Sequence, residues 1–127
     1  MIQVPVSVGE LLDKISILEI KHARIDDGAK RENVARELDA LREVRDRSVP
    51  TSPALEALCA RLREVNEALW EIEDDIRAKE REQRFDSEFI HLARSVYRTN
   101  DQRAALKREL NELTGSALVE EKSYADY

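Results

Sequence analysis

A chain of 127 residues with a net charge of −6 is long enough for one domain with a real core, and its acidity disfavours the clustered positive charge that general binding to a nucleic-acid backbone requires. The charged share of 38%, against 5% aromatic, lies far above ordinary globular usage and points to long solvated helices. A single cysteine, Cys59, permits no internal disulfide, and no apolar run approaches the roughly 20 residues that cross a bilayer, so the expectation is a cytoplasmic protein that does not insert in a membrane.

The N-terminal segment MIQVPV alternates weakly and contains Pro5, which suits an extended arm over residues 1–6 but not a central strand. Ser7-Val8-Gly9-Glu10 reads as a capping box, with the Ser7 hydroxyl accepting an amide hydrogen and the Glu10 carboxylate reaching back. The first helix starts there and runs to about Ile25, with Leu11, Leu12, Ile15, Leu18 and His22 along one face. Ile17 and Ile20 point elsewhere, and a helix apolar nearly all round is normally buried between several neighbours. Asp27 caps a second helix with a narrower stripe of Val34, Leu38, Leu41 and Val44. The short connection predicts antiparallel neighbours.

The stretch SVPTSP holds two of the three prolines and reads as a linker, with Ser52 as the next cap and Pro53 at the first helical position. The third helix carries Leu55, Leu58, Leu62, Val65, Leu69, Ile72 and Ile76. Asp86-Ser87 marks a turn into the fourth, whose seam is Phe89, Leu92, Val96, Thr99, Arg103, Leu106, Leu110 and Leu113. Gly115 stands where a left-handed residue ends the helix, leaving a non-helical tail over residues 116–127. The third and fourth helices are the longer pair, so a long antiparallel, coiled-coil-like hairpin is expected to project beyond a shorter one. The expected fold is an all-α, four-helix up-down bundle forming a single domain.

No nucleophile with a histidine partner is evident, and three glycines in all leave no phosphate-cradling loop, so no catalytic residue is assigned. Glu19-x-x-His22 and Glu88-x-x-His91 have the spacing with which dimetal carboxylate bundles aim ligands at one site. His91, however, falls about 100° from the centre of its helix's seam, and a solvated His91 is the plainer reading. No metal or cofactor is expected. The acidic run Glu71, Glu73, Asp74, Asp75 reads as a solvated helix face. Lys14, Lys21, Arg98, Arg103, Lys107 and Arg108 are candidates for an anion site, with pairing to the excess carboxylates as the simpler alternative. Trp70 and Tyr97, beside their seams, could line a groove or extend the core.

Folding the hairpin near residues 84 and 85 sets Asn66 level with Arg103. A guanidinium in an apolar seam cannot shed its charge and must meet oxygen atoms, with Asn66, Glu67 or Glu73 the candidates by level. Under that pairing, Arg103→Leu is expected to be neutral or stabilising and Arg103→Ala costly. The tail is expected to dock through Ala117, Leu118, Val119 and Tyr124 beside the Ile2-Val4-Val6 edge. Cys59, Asn66 and Trp70 form a second row beside the third helix's seam. With the all-round apolar first helix, that row implies a homodimer.

Three stretches, VPVSVGELLDKISILEIKHARI, VNEALWEIEDDIRAKE and YRTNDQRAALKRELNELTGSALVEEKSYADY, together resemble DUF6165, an uncharacterised family of small helical bacterial proteins. Positions matching that family's polar motif are Asp13, Lys14, Glu19, Lys21, Asn66, Trp70, Arg98, Asn100, Asp101, Arg103, Lys107, Asn111, Glu120, Glu121, Lys122, Ser123 and Tyr124. The resemblance implies a soluble protein encoded near or fused to glycosyltransferase and surface-polysaccharide functions, and it supplies no catalytic residues. The expected function is a non-enzymatic scaffold or adaptor in surface-polysaccharide assembly, with a glycosyltransferase or other protein as partner. The alternative is a bundle that binds or processes an anionic sugar or nucleotide-sugar through Arg98, Asn100, Asp101, Arg103, Lys107, Asn66, Trp70, Lys122 and Tyr124.

Overall fold

The computed structural model describes residues 1–126, which form four helices and no strand: α1 (Val8–Arg24), α2 (Gly28–Ser48), α3 (Pro53–Arg81) and α4 (Ser87–Thr114). Three helices begin at the expected caps Ser7, Asp27 and Ser52, and the fourth begins at Asp86 in the expected turn. Ser7, Asp27, Ser52 and Asp86 each accept a backbone amide hydrogen from the third residue beyond them, and Pro53 occupies the first turn of α3. At the other end of α4, Gly115 has φ 63° and ψ 38°, and the amide of Ser116 donates back to the Asn111 carbonyl at 2.9 Å.

The α3–α4 turn uses a device that composition did not suggest. Gln83 takes a left-handed φ of 56° without being glycine, and its side-chain amide donates to the Glu80 carbonyl at 2.8 Å. Lys79 reinforces the turn, its ammonium lying 3.1 Å from Asp86 and 2.9 Å from Glu88. With Arg61 and Glu109 pairing at the far end, residue numbers across the hairpin sum to about the same value throughout, which makes α3 and α4 antiparallel over their full length. Their 29 and 28 residues span about 42 to 44 Å at ~1.5 Å per residue, against about 26 Å for the 17 residues of α1.

The bundle is an all-α assembly with α1 at its centre: α1 packs along α2, α3 and α4, whereas α2 runs close to α1 alone. This explains the broad apolar surface of α1. One face supplies Leu11, Leu12, Ile15 and Leu18 to a core that continues through Leu38, Val49, Leu55, Leu62, Leu106 and Leu110. A second stripe, Gly9-Asp13-Ser16-Ile20, is fully buried as well and turns toward the hairpin. Only α1's length is covered in this way. Beyond it the hairpin's seam is half-buried, and Phe85 and Ile90 near the tip are 53% and 56% exposed.

Three local expectations need correction. The Glu10 carboxylate does not close the capping box but accepts from Lys107 at 2.6 Å, because a buried ammonium offers it a charged donor. Leu113 is 46% exposed, so the buried part of the α4 seam ends at Leu110. The N-terminal arm and the tail do not pair as strands; Ile2, Val4, Leu118, Val119 and Tyr124 all stay exposed. The described tail is held by charge instead, Glu120 on Lys107 at 2.7 Å and Glu121 on Arg108 at 2.8 Å.

Candidate functional site

The N-terminus of α1 sits against the C-terminal third of α4, and the sequence there is suited to close approach. Gly9 donates its amide hydrogen to Asn111 Oδ1 at 2.7 Å, and Val8 donates to the Ser116 hydroxyl at 3.2 Å. Two otherwise orphaned amides of the first turn are thereby satisfied by α4 and the residue after its cap. A Cβ on Gly9 would lie 2.5 Å from the Lys107 carbonyl oxygen, so only glycine allows the two helices this separation.

One turn on, Asp13 is fully buried. Both of its carboxylate oxygens accept from the Arg103 guanidinium, Nε lying 3.0 and 3.1 Å away, with Nη2 closing a fork on Oδ2. Asn66 of α3 donates to Asp13 Oδ1 at 2.9 Å and to the Ser16 hydroxyl at 3.3 Å. Lys107, a turn from Arg103, bridges Glu10 and Glu120 and stands 3.9 Å from Asp13. A carboxylate on α1 thus ties all three helices of the central layer, and Lys107 adds the tail. Among the described residues no buried side-chain nitrogen or oxygen lacks a partner, as a polar core must arrange if it is not to cost stability.

The electrostatics follow from this geometry. The hydrogen bonds that Arg103 donates to Asp13 raise its pKa against the opposing effect of burial. For Lys107, burial by itself lowers the pKa; the hydrogen bonds to Glu10 and Glu120, with Asp13 nearby, outweigh it, and the net shift is upward. Glu120 is held below its ordinary value, first by its hydrogen bond from Lys107. Both cations therefore stay charged and engaged.

Arg103, Asn66 and Lys107 thus meet in one cluster. The expected carboxylate partner for Arg103 is corrected: Glu67 is taken by Arg63 and Glu73 by Arg77, while Asn66 shares Asp13 with the guanidinium. Asn100, Asp101, Lys122 and Tyr124 line a groove of about 980 Å³ between α4 and the tail, in which the Lys122 ammonium lies 5.8 Å from the Tyr124 ring centroid. Trp70 is half-buried on the other flank with the Arg24 guanidinium 6.0 Å from its ring centroid, and it shares a second cleft with Asn66, Asn100 and Arg103. Arg98 is exposed and lines neither.

The two Glu-x-x-His pairs do not converge. Glu19 pairs with Arg42 and Arg63, Glu88 with Lys79, and no group of three or more metal-ligating side chains forms among the described residues. Asp13, Ser16 and Glu10 are the site residues that periodicity missed. The signal was there: Gly9, Asp13, Ser16 and Ile20 recur at helical core spacing on the face away from the leucines, which marks a polar stripe meant for burial.

These features define a helical bundle whose central layer is tied by a buried carboxylate–guanidinium–amide cluster. The chain belongs to the family of unknown function DUF6165, whose model matches residues 2–127. No curated protein and no solved structure matches it. No helix among the described residues is long and apolar enough to cross a membrane.

Proposed function

We propose that the chain is a non-enzymatic helical scaffold or adaptor, working in the cytoplasm as a homodimer and serving surface-polysaccharide assembly beside a glycosyltransferase or another protein partner. The observation that carries the scaffold reading is the satisfaction of Arg103 and Lys107 by Asp13, Glu10 and Glu120. Cations engaged by internal carboxylates hold helices together. The exposed Phe85 and Ile90 at the hairpin's projecting end support self-association, since such apolar surface is covered in many oligomers. The link to polysaccharide assembly rests on the family resemblance alone.

Sedimentation velocity at tens of micromolar tests the assembly. A dimer is expected, with Ile90→Glu returning it to monomer; a wild-type monomer throughout that range overturns it. A second reading, binding or processing of an anionic sugar or nucleotide-sugar, is supported by the groove that gathers Asn100, Asp101, Lys122 and Tyr124. A rise in melting temperature with nucleotide-sugars or sugar phosphates, lost in Lys122→Ala, would favour it over the scaffold.

A further inference from the structure

The cleft on the Trp70 flank is separate from the tail groove, sharing only Asn100 with it. It occupies about 590 Å³ where α1, α3 and α4 meet, with Ile17, Ile20 and Leu69 among its walls, a size in the range of small-molecule sites. Its polar groups differ from those of the central cluster. Arg103 spends Nε and Nη2 on Asp13, and among the described residues Nη1 has no protein acceptor. Since no buried side-chain nitrogen or oxygen is left unpaired, Nη1 reaches solvent. The same reasoning holds for the side-chain amide of Asn100 and the ammonium of Lys21, half-buried groups without a protein partner.

The guanidinium is therefore fixed on one edge by a buried carboxylate and open on another, the preorganisation that planar recognition of an oxyanion requires. Lys21 adds a second cation from α1. Two carboxylates also line the cleft, but Glu73 is paired with Arg77 at 3.4 Å, and Asp74 is exposed to solvent on α3. Trp70 supplies a flat apolar wall beside these donors. We infer that this cleft binds a small organic anion, its carboxylate or phosphate on Arg103 Nη1, Lys21 and Asn100, and its planar or apolar body against Trp70 and Leu69.

Trp70 is the chain's single tryptophan, so its fluorescence reports occupancy directly. Titration with phenylacetate and with phenyl phosphate is expected to change the emission saturably below about 5 mM, a weak-ligand range. Benzyl alcohol, which has the same ring without the charge, should give no saturable change. Saturation by phenyl phosphate alone assigns phosphate esters, and by phenylacetate alone carboxylates. Lys21→Gln, at a position with no protein partner, should weaken binding at least tenfold while leaving the melting temperature unchanged; Asn100→Leu should do the same through a separate helix. The inference is overturned if neither anion saturates, if benzyl alcohol saturates equally, or if both variants bind as the wild type does. Because these readouts need neither dimer nor nucleotide-sugar, their failure is distinguishable from failure of either proposed function.

Discussion

At the residue scale, Asp13 sets what its neighbours can tolerate. With a half-exposed or neutral partner, leucine could replace Arg103 at little cost. The partner is instead a fully buried carboxylate, and Arg103→Leu would leave it with Asn66 and a Lys107 ammonium 3.9 Å away. The single substitution is therefore expected to destabilise by about 3–5 kcal/mol, the usual penalty for orphaning a buried charge. Asp13→Ala combined with Arg103→Leu should recover most of that loss, which urea denaturation of the two singles and the double would show as a strong coupling. Additive losses would mean that the pair does not act as a unit.

The elements show how far such features could be read beforehand. Caps and breaks were legible because each helix start is marked locally by a Ser or Asp whose oxygen serves an amide two or three residues on. The level pairing of Asn66 with Arg103 was legible from hairpin arithmetic. The pairing of Asp13 with Arg103 was not: the α1 spacing marks Asp13 for burial, but which helix would lie in the groove of the hairpin is a tertiary fact that no spacing within α3 or α4 contains. The tail was misjudged for a related reason: its apolar residues suggested docking, but Leu118 and Val119 stay about half exposed and the carboxylates at 120 and 121 do the holding.

Two measurements belong to this scale. Gly9→Ala places a methyl 2.5 Å from a backbone carbonyl oxygen and should cost about 1–3 kcal/mol by forcing α1 off α4, read as a lowered urea midpoint with the slope unchanged. The tail should respond to acid. Because Glu120 has its pKa lowered in the folded state, its contribution is complete above the ordinary value of 4.5 and is lost as pH falls below that toward the folded value. Backbone dynamics of residues 117–126 measured by NMR should therefore show release with a midpoint below 4.5. Release with a midpoint above it would mean that the Lys107 pairing is not what holds the tail.

For the molecule as a whole, the attachment of α2 is one-sided. α1, α3 and α4 are bound together by apolar packing and by the Asp13 cluster, whereas α2 rests along α1, with Leu38 as its one fully buried residue. Glu19, shared between Arg42 of α2 and Arg63 of α3, is a partly solvated link of small energetic weight. Cooperativity should divide accordingly. Native-state amide hydrogen exchange is expected to find α2 opening as its own unit, at a free energy well below that for global unfolding, while amides of α1 facing Leu62 and Leu110 exchange only when the whole chain unfolds. Such a transient departure would bare the leucine face of α1 while the Asp13 cluster on the opposite face stays intact, giving the protein a partially open form that keeps its three-helix centre.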